Sequence, residues 1–141
     1  MMQRGRRIAF DYGDVRIGVA TSDADSNICS PLTTLKSSDK SLLKRIAEIF
    51  LEIQPIQIFV GRPALLSGKD GVATDKAVAF ADVLRGITEI EVIMIDERLS
   101  TVSAARNLRE AGKSAKDSKD SIDMAAAVGI LEFAIDLEKR K

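Results

Sequence analysis

Short apolar runs that alternate with helical patterns set the tightest limit on how this chain can fold. The runs Ile56–Val60 and Glu91–Asp96 are too apolar to have one face in water, which predicts two buried strands. Helical patterns flank the first run, one ending near Ile53 and the next covering about residues 73–85. A helix that crosses from one strand to its neighbour makes the two strands parallel, so this part of the sheet should be parallel.

Three extended segments precede this alternation. Arg7–Asp11 and Arg16–Thr21 are rich in β-forming residues, and the segment between them, Tyr12–Val15, contains a glycine suited to a hairpin turn. A third segment, Ile28–Leu35, contains Pro31, which is typical of an edge strand. These patterns predict an α/β protein with a mixed five-stranded sheet, in which an antiparallel three-strand meander joins parallel strands and helices flank both.

The predicted helices have recognisable ends. Ser37, Ser38 and Asp39 offer N-caps to the first helix, which stops before Pro55. A further helical pattern starts near Ser100, and a lysine-rich connector at 112–119 leads into a last helix of about residues 120–139. No interdomain linker interrupts the pattern, so residues 1–141 are predicted to form one domain. The expected inward-facing residues are Ala77, Phe80, Ala81 and Leu84 in the second helix, and Ile122, Ala126, Gly129, Ile130, Phe133 and Leu137 in the last one.

The residue types present exclude several kinds of chemistry. The chain has no histidine, which excludes Ser-His-Asp hydrolysis, Cys-His proteolysis and imidazole-bound zinc. Cys29 is the single cysteine, and a small buried side chain is favoured over a catalytic thiol. The 21 basic and 21 acidic residues balance, so overall charge does not point to nucleic acid. No run approaches the roughly 18–20 apolar residues of a membrane span, which predicts a cytoplasmic protein without a membrane partner.

Four carboxylates stand out by position. Asp11 ends the first strand, and Asp96 and Glu97 end the last strand. Asp123 falls in the first turn of the predicted last helix. Catalytic groups gather at the carboxyl ends of parallel strands, and clustered carboxylates without histidine or cysteine suit Mg²⁺ or Mn²⁺. Taken singly, these acids also fit ordinary roles: a turn former, an ion-pair partner of Arg98, and a helix N-terminal acid.

Four sequence blocks resemble the YqgF family. Members of that family are ribonuclease H-like, are related in fold to the RuvC Holliday-junction resolvase, and are commonly called pre-16S rRNA nucleases or Holliday-junction resolvases. The resemblance implies a single ribonuclease H-like domain with divalent-metal-dependent nuclease activity. The blocks occur in order over nearly the whole chain: IAFDYGDVRIGVA (8–20), FVGRPALLSGKDG (59–71), DERLSTVSA (96–104) and KDSIDMAAAVGIL (119–131).

The resemblance also implies a role for each matching residue. Asp11, Glu97 and Asp123 match the family's acids and are expected to be the catalytic metal ligands, with Asp96 as second choice. Gly18 is expected to let a phosphate approach the backbone. Arg16, Gly18, Arg98 and Thr101 match family positions that are expected to bind nucleic acid. Arg62, where the family often has leucine, and Lys113, Lys116 and Lys119 are expected to bind it because their charge would neutralise phosphates. For the three lysines, a solvated loop is an equally good interpretation.

The implied substrate is precursor 16S rRNA, trimmed near its 5′ end, with Mg²⁺ or Mn²⁺ as cofactor. A Holliday junction is the alternative substrate, and its symmetric cleavage requires a two-fold dimer, so both a monomer and a homodimer stay open. A non-catalytic nucleic-acid- or ribosome-binding module on the same fold is a third possibility and would bind without metal. An actin-like ATP-binding protein ranks last, because 141 residues cannot supply two nucleotide-clamping lobes.

Overall fold

The structure, a computed structural model, describes residues 3–62, 71–96 and 117–140, with side chains from residue 75 in the second range and from residue 123 in the third. The strands in these ranges are β1 (Arg7–Tyr12), β2 (Arg16–Ser22), β3 (Cys29–Lys36), β4 (Gln57–Arg62) and β5 (Val92–Asp96). The helices are α1 (Leu42–Ile53), α2 (Gly71–Ile87) and α3 (Asp117–Lys139). The further helix predicted from near Ser100 lies outside the described residues.

The strands form one mixed sheet in the order β3-β2-β1-β4-β5. The β1–β2 and β2–β3 pairs are antiparallel, whereas β1–β4 and β4–β5 are parallel, which confirms the predicted meander joined to parallel strands. Strand β3 lies at an edge, as Pro31 predicted. Its register shifts where Val19 pairs with Thr33 and Ala20 pairs with Pro31, so Leu32 is an extra residue in a bulge.

The sheet divides the core into two layers. Successive residues of a strand point to opposite faces, so Ile8, Phe10, Ile58 and Val60 pack with α1 and α2, while Ala9 and its counterparts on other strands pack with α3. The Phe10 and Phe80 rings meet edge to face, with centroids 5.5 Å apart. All four residues predicted to face inward from α2 are buried, which confirms that face.

Helix α1 begins later than its predicted caps. Ser41 is the N-cap, and the Asp39 carboxylate accepts the Ser41 backbone N–H at 2.8 Å. Ser37 instead donates its hydroxyl to the Gly13 carbonyl at 2.6 Å, which ties the β1–β2 turn to the end of β3. The helix ends as predicted before Pro55, because Gln54 adopts a left-handed conformation (φ 52°) and donates its N–H to the Phe50 carbonyl.

Helix α3 begins earlier than predicted, and one of its predicted inward residues is exposed. It begins at Asp117 rather than at residue 120, so Lys119 belongs to the helix and Asp123 lies in its second turn rather than its first. Leu137 is 37% exposed, so its predicted inward position is wrong. Gly129 and Phe133 are half-buried, and the side chain of Ile122 lies outside the described part. The residues of α3 that are buried are Ala126, Ala127, Ile130, Leu131, Ala134 and Ile135.

Arg7 is an unusual buried residue at the start of β1. It is only 1% exposed, and its guanidinium donates to Gln57 Oε1 at 2.6 Å, to Ser26 Oγ at 2.7 Å and to the backbone carbonyls of Gln3 and Gly5. Burial lowers the pKa of Arg7, and the charge of Glu138 partly opposes that change. These bonds hold the chain before β1 against the sheet.

No described helix is long and apolar enough to cross a membrane.

Candidate active site

The parallel strands bring three candidate residues to one edge of the sheet. β1, β4 and β5 run in the same direction, so Asp11, Arg62 and Asp96 lie at or next to their carboxyl ends, where catalytic groups gather in parallel sheets. Asp11 is 6% exposed. It lies two residues after Ala9, which packs against α3, so strand alternation directs Asp11 to the α3 face.

Gly18 brings helix α3 close to Asp11. Asp11 pairs with Gly18 across the β1–β2 hairpin, and a Cβ atom added at Gly18 would overlap the backbone carbonyl group of Asp123. The helix backbone therefore crosses β2 at the residue that pairs with Asp11. The sequence predicted that a phosphate approaches the backbone at Gly18. In the structure the protein's own helix makes a close approach at this residue.

Asp123 is bonded to an arginine of the same hairpin. Arg16 Nε donates to Asp123 Oδ2 at 3.0 Å, and the two side chains are 28% and 21% exposed. Arg16 precedes Gly18 by two residues, so both lie on the α3 face of β2. The sequence predicted Arg16 and Asp123 as separate contacts, one to nucleic acid and one to metal, and gave no indication that they bind each other.

Asp96 lies on the opposite face of the sheet from Asp11. Its neighbour Ile95 packs in the α3 layer, whereas Met94 packs in the other layer, so alternation directs Asp96 away from α3. The partner of Asp96 in the register is Arg62, an exposed residue at the end of β4. Arg62 lies beyond the strand predicted at Ile56–Val60 but is the last residue of β4.

The other predicted site residues lie outside the described side chains. Glu97 falls between the second and third described ranges, and the backbone of Lys119 is described without its side chain. The other predicted site residues between these two ranges are Arg98, Thr101, Lys113 and Lys116.

The described acids fit part of a site for a hard divalent cation. Within the described ranges, no group of three or more potential metal ligands comes together. Asp11 and Asp123 offer only carboxylate oxygens, the donors that Mg²⁺ and Mn²⁺ prefer. Asp123 already binds a cationic group, the Arg16 guanidinium, which shows that a positive charge is accommodated at this carboxylate.

Two other features lie apart from these acids. A hollow of about 430 Å³ opens between α1 and α2, on the other face of the sheet, and is lined by Tyr12, Phe80, apolar residues of both helices and the charged residues Asp39, Lys40 and Lys76. Cys29 is half-buried, and burial raises the pKa of its thiol to about 11. The thiol is therefore protonated at neutral pH, which agrees with a packing role rather than a catalytic one.

Proteins of similar sequence have one recurring description. The model of the RuvX family, described as a Holliday junction resolvase, matches residues 5–137. A protein of Mycobacterium sp. (strain KMS) is 46% identical over 137 residues, which cover 94% of this chain and 80% of that protein. A protein of Leifsonia xyli subsp. xyli (strain CTCB07) is 44% identical over 139 residues, covering 98% and 90%. Both are named "Putative pre-16S rRNA nuclease".

Two solved structures share the architecture. One is Thermus thermophilus RuvC in complex with a Holliday junction substrate, with a TM-score of 0.64, 14% identity and 96% of each chain covered. The other is Thermus thermophilus RuvC, with a TM-score of 0.61 at the same identity and coverage. At this identity the likeness concerns the fold alone, and it confirms the expected ribonuclease H-like fold.

Proposed function

Because this chain belongs to the RuvX family, we propose that it is a divalent-metal-dependent nuclease that trims precursor 16S rRNA near its 5′ end. The name carried by relatives that align with almost the whole chain supports this substrate. The observation that carries the proposal is the packing of helix α3 on Gly18, which pairs with Asp11 and lies against the backbone of Asp123. This packing puts the two acids on neighbouring elements at the same face of the sheet, as a shared ion would require.

Asp11, Asp123 and Glu97 are the proposed ligands of Mg²⁺ or Mn²⁺. Glu97 is chosen over Asp96 because Asp96 lies on the opposite face of the sheet from the two described acids. Bound divalent ions supply an activated water and stabilise charge on the leaving oxygen during phosphodiester hydrolysis. The protein holds its carboxylates on a strand and a helix that are packed together, which keeps them in position without further reorganisation.

Recognition of the substrate is proposed to rely on phosphates and shape. The chain has 5 phenylalanines, 1 tyrosine and no tryptophan, and the rings of Phe10, Phe50, Phe80 and Tyr12 pack against one another. These rings are therefore not available to stack on bases, and basic residues are left to contact the backbone. The basic residues proposed for this contact are Arg62, Arg98, Lys113, Lys116 and Lys119, with Gly18 contributing to packing and Thr101 to the backbone contact.

The test compares two aspartates of the same hairpin. Asp11→Asn removes one negative charge from the proposed site, whereas Asp14→Asn removes one from an exposed residue whose partner is Lys76, 2.9 Å away. Both proteins are incubated with labelled precursor 16S rRNA in Mn²⁺, in Mg²⁺ and in EDTA. Asp11→Asn should lower the cleavage rate at least about 100-fold, since even outer-shell partners of a metal are worth about 10–100-fold. Asp14→Asn should cleave like the wild type.

Two results would contradict the proposal. Cleavage by Asp11→Asn at the wild-type rate would show that the activity comes from another site or a contaminant. RNA binding without cleavage in either metal would favour the non-catalytic binding module. Asp123→Asn serves as a second variant and should match Asp11→Asn, because loss of either ligand disables the same ion.

Cleavage of Holliday junctions is the second candidate function. The description of the matching family model names this activity, and the RuvC fold supports it. Symmetric cleavage requires a two-fold dimer, so the molecular mass in solution and incubation with a labelled four-way junction test it together. A monomer that cleaves the rRNA precursor and leaves the junction intact would reject this candidate.

An rRNA substrate would place the reaction in the cytoplasm.

A further inference from the structure

The Arg16–Asp123 ion pair lies closer to the protein interior than five other ion pairs between described residues. Its side chains are 28% and 21% exposed, whereas each of those five pairs has at least one side chain that is more than half exposed. Screening by water is weaker at such a position, so charge neutralisation there matters more. The carboxylate involved is the one that the proposed function assigns to a metal ion.

We propose that Arg16 neutralises Asp123 in the metal-free protein and is displaced by the metal ion, which frees the guanidinium to bind a phosphate of the nucleic acid. This inference rests on the proposed function and adds an order of events to it. A divalent ion bound to Asp123 would lie within a few ångströms of the guanidinium, and like charges at that distance repel. Arginine cannot relieve the repulsion by losing its proton, so the side chain relieves it by moving away from the carboxylate.

The backbone of the hairpin restricts which part of Arg16 can move. Arg16 pairs with Lys36 on β3, and the next residue, Ile17, pairs with Tyr12 on β1 and Leu35 on β3. The backbone is thus held from both sides, and the side-chain torsions are the soft degrees of freedom. The displaced guanidinium remains at the edge of the sheet beside Asp11, where a scissile phosphate would be placed, and its planar donors suit a phosphate.

Metal binding and nucleic-acid binding are then coupled through Arg16. In the metal-free protein Arg16 is paired with Asp123, so Arg16 contributes little to phosphate binding. Once the metal takes its place, that charge becomes available. By thermodynamic reciprocity, nucleic acid must also tighten the binding of the metal.

The first test measures Mn²⁺ affinity in the absence of nucleic acid by titration calorimetry. Arg16→Gln removes the competing charge and should tighten Mn²⁺ binding roughly tenfold, within the usual range of coupling between sites. Arg45→Gln is the matched control, because Arg45 Nε donates to Asp39 Oδ2 at 2.7 Å in the same geometry on α1. The control should leave Mn²⁺ affinity unchanged.

A second test uses the wild-type protein and so does not depend on how a variant folds. The Nε–H resonance of Arg16 is followed by NMR while diamagnetic Mg²⁺ is added, with that of Arg45 as the internal reference. The Arg16 resonance should shift in proportion to metal occupancy, and the Arg45 resonance should stay in place. RNA affinity, measured in Ca²⁺ and in EDTA, should rise with metal in the wild type and rise roughly tenfold less in Arg16→Gln.

The outcomes separate the two proposals. Equal Mn²⁺ affinity in Arg16→Gln and wild type, or an Arg16 resonance that ignores Mg²⁺ while the protein binds it, would overturn the displacement of Arg16 and leave the nuclease proposal standing. Both proposals fail if the wild type binds no Mn²⁺, or if Asp123→Asn binds Mn²⁺ as tightly as the wild type, because the metal site itself is then wrong.

Discussion

Substitution of Gly18 by alanine tests the contact on which the candidate site depends. The added methyl group would overlap the backbone carbonyl group of Asp123, and its next contact would be the Met124 nitrogen at 3.0 Å. Neither strand β2 nor helix α3 can yield by a side-chain rotation, because the overlap is with main-chain atoms. The helix must therefore move away from the sheet, and Asp123 moves with it.

The expected magnitude follows from the cost of overpacking. Forcing an extra methyl group into a packed interior costs about 1–3 kcal/mol. For a protein of this size each kcal/mol lowers Tm by roughly 2–4 °C, so Gly18→Ala should lower Tm by roughly 2–12 °C. Mn²⁺ affinity should fall as well, because Asp123 no longer lies beside Asp11.

Gly86→Ala provides the matched control. Gly86 lies near the end of helix α2, and an added Cβ there meets nothing within 4 Å. The same chemical change should stabilise the protein by about 0.4–1 kcal/mol, because alanine loses less backbone entropy in a helix. Thermal unfolding followed by circular dichroism measures both variants. A Gly18→Ala protein as stable as Gly86→Ala would refute the proposed close contact.

Three further predictions concern other parts of the molecule. Arg7→Met should lower the free energy of unfolding, measured in urea, by roughly 2–4 kcal/mol, because buried acceptors lose their donors. Arg4→Met removes an exposed ion pair and should change the free energy of unfolding by less than about 0.5 kcal/mol, so equal losses would contradict the role of Arg7. Cys29 has a pKa of about 11, which leaves almost no thiolate at pH 8, so it should react with iodoacetamide far more slowly than a free thiol. The reaction rate should increase up to about pH 11, and rapid reaction at pH 8 would contradict this prediction. The backbone N–H of Ile28 is the chief group that lowers the pKa of Asp23 from 3.8 in the folded protein. The ionised carboxylate therefore stabilises the fold above pH 3.8, and this stabilisation is lost as the pH falls through the folded-state pKa. Asp23→Asn should make Tm depend less on pH below about pH 4, and an unchanged dependence would contradict this prediction.

The fold was largely predictable because burial sets the periodicity of the sequence. The buried strands are short apolar runs, and α2 repeats with one buried face, whose predicted inward residues are all buried. Helix α3 was harder to predict for two reasons. Its first turn is polar, so the pattern of apolar residues begins only after the helix does, and alanines occur on several of its faces, so periodicity did not distinguish Leu137 from Leu131.

The candidate site was predictable in its location and less so in its contacts. Strand ends identify Asp11, because parallel strands terminate at a common edge. The bond between Arg16 and Asp123 joins residues 107 positions apart, and no local pattern encodes such a partner. The role of Gly18 was likewise hidden, since a glycine that admits a phosphate and one that admits a helix look the same in a sequence.

The bulge and the proline on β3 also limit how copies of this protein can assemble. An incoming strand needs an even row of backbone donors and acceptors, and Pro31 lacks a donor while the extra residue Leu32 breaks the spacing of the row. Ile28, beside this strand, is 66% exposed and Leu32 is 37% exposed, so the edge would otherwise invite strand addition. The bulge and the proline therefore oppose continuous strand pairing between two molecules along β3.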